Sequence, residues 1–360
     1  MNRRLETRCR ICQKRSPKIA AAIGVCASCL GRLFLEARPL IDAAHAGTRA
    51  EFNLPARPPR RKKGAECKLC SNECSIGEGE RGFCGLRTVH KGKLVHLAGT
   101  PQRGLLHWYR DPLPTNCVAD WVCEGNQHPG SHNLAVFYAS CTANCLFCQN
   151  WHFREISPTQ SKTISASELA SEANPRTFCV CFFGGDPASQ MPNALAAARL
   201  LAQRGVRVCW ETNGMMHPKL LDAAVQASLH TGGCVKFDLK TFDEEVSFAL
   251  TGVSNQRTLE NFTRAAQHFG KRPGLPLVVA STLLVPGYVG PEQVGKIAKF
   301  IAAIHVHIPY TLLAFAPNFY FHDLPYTSTT HAWEAEAAAR AAGLVDVRIG
   351  NRHLLGLGWD

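Results

Sequence analysis

The sequence predicts an α/β fold, namely a (β/α)6 partial TIM barrel preceded by small cysteine-rich modules. From about residue 131 onwards, apolar stretches of strand length alternate with amphipathic stretches of helix length. The strand candidates are apolar on both faces, as in a parallel sheet that is covered by helices. Six such βα units fit a partial barrel. A doubly wound open sheet is the alternative, because the sequence alone does not fix the order of the strands.

The individual elements follow from the spacing of apolar residues and from their flanking residues. The helix candidates carry apolar residues three and four positions apart, several begin with Ser, Thr or Pro, and several end near Gly. The predicted strands cover residues 133–139, 177–185, 206–214, 234–240, 276–287 and 310–318. The predicted helices cover residues 165–173, 189–205, 218–228, 258–270 and 291–304.

Length and composition restrict the class of protein. The chain has 360 residues, of which 46% are hydrophobic and 19% charged, so it can form a large core and more than one domain. No stretch approaches the roughly 20 apolar residues that cross a bilayer. The charged N-terminal residues are not followed by the apolar run of a secretory signal. We therefore expect a cytoplasmic protein without a membrane partner.

The positive charge is concentrated before the predicted barrel. Residues 1–66 contain 15 Lys and Arg against 5 Asp and Glu, which gives +10 of the overall +12. This basic segment suggests nucleic acid as an alternative partner, whereas the simpler interpretation is a solvated appendage. The predicted organisation is a four-cysteine knuckle (1–30), a basic linker (31–64), a second cysteine-rich module with a pre-barrel loop (65–130), the barrel (131–318), and a C-terminal helix and strand that pack on the barrel (319–360).

The chain contains 17 cysteines, and in a reducing compartment these favour metal sites over disulfides. The C-x2-C-x13-C-x2-C spacing of the first set is typical of a structural zinc site. The C-x2-C-x3-C-x9-C spacing of the second set fits zinc, an auxiliary iron–sulfur cluster, or a docking loop without metal, and we favour a bound metal. The first set is Cys9, Cys12, Cys26 and Cys29, and the second set is Cys67, Cys70, Cys74 and Cys84.

Most of the remaining cysteines stand alone in the sequence. Cys179, Cys181, Cys209 and Cys234 occur in apolar runs, where cysteine usually acts as a small buried hydrophobic residue. The pre-barrel loop adds Cys117 and Cys123. For these two the sequence leaves open a cap over the active site, a ligand for the second set, or a neutral buried role.

The stretch CTANCLFC at residues 141–148 places three cysteines at the end of the first predicted barrel strand. A zinc ion bound only by these thiolates would lack a fourth protein ligand. An iron–sulfur cube has four irons, so three cysteines would hold three of them and leave one open. An open metal position suits a catalytic centre better than a structural one. The candidate catalytic and metal-binding residues are Cys141, Cys145 and Cys148, here named the triplet.

The C-x3-C-x2-C spacing, with Phe147 before the last cysteine and βα units following, resembles the radical S-adenosylmethionine (SAM) superfamily. The resemblance implies a [4Fe–4S] cluster whose open iron is chelated by the amino and carboxylate groups of SAM. It also implies that reduction cleaves SAM to methionine and a 5′-deoxyadenosyl radical, which abstracts hydrogen from a substrate. An electron donor such as flavodoxin or ferredoxin is therefore expected.

Three further motifs at strand ends strengthen the resemblance. GGDP at residues 184–187 resembles the glycine-rich motif, usually GGEP, that holds the SAM amino group, and the shorter Asp favours contact through the backbone. TNG at residues 212–214 and DLK at residues 238–240 are placed as in the branch of pyruvate formate-lyase activating enzymes, and a lysine there suits a carboxylate. The candidate cofactor-binding residues are Gly184, Gly185, Asp186, Pro187, Asn213, Asp238 and Lys240.

A narrower resemblance bears on the substrate. Residues 68–87, together with CLFCQNW, FDLKTF and TLLVPG, are similar to the radical SAM protein of the AmmeMemoRadiSam gene system, a group that is similar to pyruvate formate-lyase activases. This implies a radical SAM oxidoreductase that acts on a protein or peptide. The alternatives are radical SAM modification of RNA or a nucleotide, guided by the basic N-terminal segment, and a zinc-only binding protein.

Overall fold

The computed structural model describes residues 6–115 and 117–357. Its strands are β1 (Thr7–Arg8), β2 (Arg15–Ser16), β3 (Ala65–Glu66), β4 (Ser75–Ile76), β5 (Arg87–His90), β6 (Lys93–His96), β7 (Leu106–Pro112), β8 (His132–Tyr138), β9 (Thr177–Phe183), β10 (Arg207–Thr212), β11 (Val235–Asp238), β12 (Val278–Leu284), β13 (Tyr310–Ala314) and β14 (Val347–Gly350). Its α-helices are α1 (Ala27–Arg32), α2 (Phe34–Ala50), α3 (Ala166–Ser171), α4 (Met191–Gln203), α5 (Pro218–Thr231), α6 (Glu244–Thr251), α7 (Gln256–Ala266), α8 (Pro291–Ala302) and α9 (Thr329–Ala341).

One eight-stranded sheet organises the chain, with the strands from β7 to β14 in sequential order. The strands from β8 to β14 are parallel, whereas β7 pairs antiparallel with β8 at one edge. Because the order never reverses, right-handed crossovers place the connecting helices on one face of the sheet. A doubly wound sheet would require a reversal, so the six predicted βα units are confirmed as a partial barrel, which β7 and β14 extend at its edges.

The two faces of the barrel sheet bury different side chains. Val208 and Trp210 point outward and join the main hydrophobic core with the helices, and Val180 and Phe182 do the same on the neighbouring strand. The alternate residues point into the barrel, because successive side chains of a strand alternate between faces. The inward row includes Cys181 of β9, which pairs in register with Cys209 of β10. Cysteines therefore line part of the lumen at this level of the barrel.

The segment between β7 and β8 closes the amino end of the barrel. The strands pair from Leu106 opposite Tyr138 to Pro112 opposite His132, so residues 113–115 and 117–131 lie at the amino end of β8. In this loop, the Trp121 indole donates to the Thr311 hydroxyl at 3.1 Å. Residues 113–115 and 117–131, named the plug loop here, therefore lie at the opposite end of β8 from the triplet.

The segment expected to be a basic linker contains the 17-residue helix α2. Its buried residues include Ile41 and His45 on its inner side, and even Arg49 is almost fully buried there. Other basic residues of the segment form ion pairs within the fold. Arg57 binds Asp42 at 2.7 Å, and Arg61 binds Glu80. Within the described ranges, none of the helices is long and apolar enough to cross a membrane.

Candidate active site and cysteine centres

The triplet lies on the loop that follows the carboxyl end of β8, and neighbouring elements hold this loop in place. The Asn144 amide donates to the Thr251 carbonyl at 2.7 Å, and the Leu146 amide donates to the Leu250 carbonyl at 3.0 Å. Both acceptors lie at the end of α6. These hydrogen bonds satisfy the backbone between the cysteines and leave the thiols themselves for ligation.

Asn144, between the first two cysteines, is fixed by side chains from distant parts of the chain. Its side-chain amide donates to His45 Nδ1 and to the Thr48 hydroxyl, each at 2.9 Å. Its carbonyl oxygen accepts a hydrogen bond from Arg154 at 2.8 Å. Helix α2 and the residues after the triplet thus fix the loop between Cys141 and Cys145. Sequence reasoning missed this role, because an isolated Asn or His carries no motif.

The two glycines of GGDP make close backbone approaches to the end of β8. Gly184 and Gly185 have φ of 64° and 51°, a region that favours glycine. A Cβ atom on Gly185 would lie 2.0 Å from the Tyr138 carbonyl oxygen, and one on Gly184 would lie 2.0 Å from the Phe137 ring. Any side chain at either position would therefore displace the strand end that carries the triplet.

Asp186 joins the ends of β9 and β10. Its carboxylate accepts hydrogen bonds from the Asn213 amide at 2.6 Å, the Ala188 amide at 2.7 Å and the Thr212 hydroxyl at 3.1 Å. Burial raises its pKa from 3.8 to about 6, although these donors favour the ionised form. With its carboxylate engaged in this way, Asp186 acts as a positioning residue. Pro187 follows it, buried at the start of a short 3-10 helix.

Asn213 brings the TNG motif against the triplet. Its side-chain amide lies 3.8 Å from the Cys141 sulfur and donates to the Thr142 hydroxyl at 2.9 Å. The carboxyl ends of β8 and β10 therefore meet at the first cysteine of the triplet.

Asp238 and Lys240 form an ion pair at the end of β11. Burial opposes the charge on Lys240, yet Asp238 and the thiol of Cys145 outweigh burial and raise its pKa. Its ammonium also lies 5.6 Å from the centre of the Phe147 ring. Asp238 Oδ1 is buried without a hydrogen-bond partner among the described residues. An unpartnered buried carboxylate oxygen calls for a donor, and an ammonium group such as that of the SAM methionine moiety would supply one.

The thiols of the triplet are held in a poorly solvated pocket. Burial raises the pKa of Cys145 to about 11, although Lys240 lowers it, and burial likewise raises the pKa of Cys141 and of Cys148. A metal ligand must be the thiolate, so metal binding here would release protons. Three soft sulfur donors without a fourth fit a [4Fe–4S] cluster with one open iron.

The first cysteine set forms a compact centre suited to one ion. The four sulfur atoms lie within 4.8 Å of one another, with 3.9 Å between Cys9 and Cys29 and 3.7 Å between Cys12 and Cys26. No other group of three His, Cys, Asp or Glu side chains in residues 6–115 and 117–357 is this compact. The set therefore could bind a metal ion in a closed tetrahedral site.

The knuckle around the first set packs on the barrel instead of standing apart from it. It shares a hydrophobic cluster with Phe147 of the triplet loop and with Phe321. Tyr288 fixes it further, since its hydroxyl accepts from the Ala20 amide and donates to the Val25 carbonyl, each at 3.0 Å. The knuckle thus forms part of the wall behind the triplet.

The second cysteine set also adjoins the triplet. The side chain of Asn72 donates to the Thr142 carbonyl at 2.7 Å, and Ser140 donates to the Cys84 carbonyl at 2.9 Å. Arg87 is only 1% exposed, and its three guanidinium nitrogens have no hydrogen-bond partner among the described residues. Burial raises the pKa of the Cys67 thiol, and the positive charge of the Arg87 guanidinium lowers it. A buried unpaired cation needs an anionic partner.

Residues 135–301 match the family model of the radical SAM superfamily. The chain thus contains a radical SAM domain, which spans just under half of its length. The matched residues include the triplet and the three strand-end motifs, which agrees with their convergence at the carboxyl end of the sheet.

The chain is also similar to proteins that are named as activating enzymes. It is 36% identical over 133 residues to the isethionate sulfite-lyase activating enzyme of Desulfovibrio desulfuricans, covering 37% of this chain and 40% of the relative. It is 31% identical over 133 residues to the pyruvate formate-lyase 1-activating enzyme of Escherichia coli, covering 35% of this chain and 52% of the relative. A Methanocaldococcus jannaschii protein named as a glycyl-radical enzyme activating enzyme is 26% identical over 193 residues, covering 51% and 68%.

The chain spans about half or less of the length of the first two relatives. Their similarity supports the predicted activase-like branch for the domain. The match covers only part of each relative, so it does not establish the activity of the whole protein.

Proposed function

We propose that this protein is a radical SAM enzyme that generates a carbon-centred radical on a protein or peptide, in the manner of glycyl-radical activases. The observation that carries the proposal is the convergence of the triplet with the ends of β9, β10 and β11. Asn213 and Lys240 line one small cavity with Cys145, and Asp186 accepts a hydrogen bond from the Asn213 amide. When bound, a [4Fe–4S] cluster with SAM at its open iron would supply the electron that cleaves SAM and releases a 5′-deoxyadenosyl radical.

The chain's own residues would bind and orient these groups. The thiolates of the triplet would hold three irons. Lys240 is placed to bind the SAM carboxylate, and the free oxygen of Asp238 is placed to accept from the SAM amino group. Asp186 would act indirectly, by holding the Asn213 backbone beside Cys141. The buried surroundings would exclude water from the radical.

A broad groove beside the triplet supports a protein or peptide substrate. Its volume is about 1010 Å³, and residues on both sides of the triplet, Ser140 and Phe153, help to line it. Pockets for small molecules usually lie between about 300 and 1,000 Å³, so this groove has room for a peptide segment. Its charged lining, which includes Glu51, Arg81 and Arg154, suits a polar peptide.

The metals of the two upstream cysteine sets belong to the same proposal. Zinc fits the first set, because its sulfur spacing suits a single ion. A metal centre in the second set, of zinc or of iron and sulfide, would give Arg87 the anionic partner that it lacks. The RNA alternative receives no comparable support, since basic residues of the N-terminal segment are engaged in intramolecular pairs. Flavodoxin or ferredoxin remains the proposed electron donor.

The substitution Cys145→Ala tests the proposal. It removes one of three cluster ligands, so anaerobic formation of 5′-deoxyadenosine from SAM and dithionite should fall by more than the 10- to 100-fold that loss of an outer-sphere partner costs. Liquid chromatography of the product measures it. Thr263→Ala, on helix α7, is the control and should retain the wild-type rate. Undiminished product from Cys145→Ala would refute the proposal.

A further inference from the structure

The six cysteines outside the three sets, scattered in sequence, come together inside the barrel. They line one cavity of about 90 Å³ at the amino end of the sheet, beneath the plug loop. Strand cysteines supply one wall and the plug loop supplies the other. The members of this group, named the lumen cysteines, are Cys117, Cys123, Cys179, Cys181, Cys209 and Cys234.

The register of the sheet explains the convergence. Cys181 of β9 is directly paired with Cys209 of β10. Trp210 pairs with Val235, so Cys234 comes level with Cys209 on the third strand. All three side chains therefore point inward in a single row. Cys179, two residues before Cys181, lies on the same face of β9 and lines the same cavity.

A buried lysine lies in the middle of the group. Lys236 is only 2% exposed, and its ammonium lies 3.0 Å from the Cys117 sulfur and 3.1 Å from the Cys181 sulfur. Glu211, which is partly exposed, is farther away at 3.4 Å. The two nearest groups to a desolvated cation are thus sulfur atoms. A buried charge is stable only beside a compensating charge. Thiolates bound to a metal would add to the compensation that Glu211 supplies.

From these positions we infer that the barrel lumen binds a polynuclear iron–sulfur cluster, with Cys117, Cys181, Cys209 and Cys234 as the best-placed ligands and Lys236 as the counter-charge. The cavity is far smaller than the roughly 300 Å³ at which small-molecule sites begin, so it suits a compact inorganic group. In the described residues, the lumen sulfurs include no three as close together as the first set. Ligands of a polynuclear cluster bind different irons and need no such convergence.

This site is separate from the triplet, and its test does not depend on the proposed function. The full-length protein with Cys141→Ala, Cys145→Ala and Cys148→Ala is reconstituted anaerobically with iron and sulfide, desalted, and analysed for iron, sulfide and zinc per chain. Adding Cys181→Ala, Cys209→Ala and Cys234→Ala should remove the iron and sulfide of one cluster and leave zinc unchanged. Equal iron and sulfide in the two proteins would overturn the inference, as would a loss of zinc instead of iron.

Two further variants separate ligation from packing. Val279→Ala, at the position paired with Lys236, trims the same lumen without removing a thiol and should keep the full iron content. Cys117→Ala alters a half-buried loop position that folding tolerates more easily, and should lower the iron content or change the electron paramagnetic resonance (EPR) spectrum of the reduced protein. The lumen cysteines are not ligands if Cys117→Ala leaves the iron content and the EPR spectrum unchanged. The same conclusion follows if Val279→Ala loses as much iron as the variant with Cys181→Ala, Cys209→Ala and Cys234→Ala.

Discussion

The first cysteine set and the triplet show two ways in which one chain can present thiols to metals. In the first set, four sulfur atoms lie within 4.8 Å of one another, so the coordination sphere of one ion can close. In the triplet, three thiols occupy a loop beside Asn213 and Lys240. Among the residues that the structure describes, these thiols belong to no compact group of four ligands. A closed site stabilises a fold, whereas an open site needs groups around its free coordination position that bind a second molecule.

Removing the closed site is expected to have the largest effect on stability. The double substitution Cys26→Ala and Cys29→Ala should remove the zinc ion of the first set and lower the free energy of unfolding by several kcal/mol. This loss should stay below the roughly 10–16 kcal/mol of isolated zinc-finger peptides, because the knuckle also packs against Phe147 and Tyr288. Metal analysis and urea denaturation measure the two effects.

Ser28→Ala, an exposed position on the same helix α1, is the matched control and should retain zinc. A zinc content in the Cys26 and Cys29 double variant equal to that of the wild type would show that the first set is not a zinc site.

Removing the hydrogen bonds that fix the triplet loop should have an intermediate effect. Asn144→Ala removes the hydrogen bonds to His45, Thr48 and Arg154 that fix the loop between Cys141 and Cys145. Outer-sphere partners of metal sites usually contribute 10- to 100-fold in metal affinity or activity, so SAM cleavage should fall by about that factor. Zinc content should stay constant, because the first set is untouched.

Wild-type kinetics in Asn144→Ala would mean that the loop holds its shape without this side chain. Asn144→Asp, which keeps one acceptor for Arg154, offers a conservative comparison and should retain more iron than the alanine variant.

The smallest expected effect is the pH dependence of stability that His45, a buried residue of helix α2, contributes. Burial lowers the pKa of His45 from 6.5 to about 4, although its hydrogen bonds to the Phe248 and Ala249 carbonyls raise it. A folded-state pKa below the unfolded value means that the unfolded chain binds the proton more strongly. The stability that neutral His45 contributes is therefore present above pH 6.5 and is lost as the pH falls towards 4.

Between pH 7 and pH 5 this linkage amounts to about 2 kcal/mol at most, on the order of 1.4 kcal/mol per pH unit below 6.5. Urea denaturation of the wild type and of His45→Gln at the two pH values measures it. The wild type should lose more stability than the variant on acidification. An equal loss would show that His45 does not become charged on unfolding.

The elements of the barrel were predictable because each follows from a local pattern. The six strands and the helices between them have apolar periods that a sequence displays directly, and the structure contains them. The edge partners of the sheet were harder to foresee. The β7 strand (Leu106–Pro112) is mostly polar and exposed, and β14 is short, so neither has a strong local signal.

The candidate site likewise contains residues that the sequence could predict and residues that it could not. Cys141, Gly185 and Lys240 belong to motifs, so their meeting at one end of the sheet could be expected from parallel strand topology. The contact between His45 and Asn144 joins residues that are 99 positions apart and has no motif. Cys179 and Cys209 were expected to be ordinary buried residues, and they are buried. That they face Cys117 in one lumen depends on strand register and on the path of the plug loop, which local patterns do not encode.

The proposed function requires that the triplet holds a cluster with one iron open to SAM. The EPR spectrum of the anaerobically reduced full-length protein, recorded with and without SAM, tests this requirement. We expect an iron–sulfur signal that SAM alters in the wild type, and no SAM-dependent change in the variant with Cys141→Ala, Cys145→Ala and Cys148→Ala. A wild-type spectrum without an iron–sulfur signal, or one that SAM leaves unchanged, would contradict it.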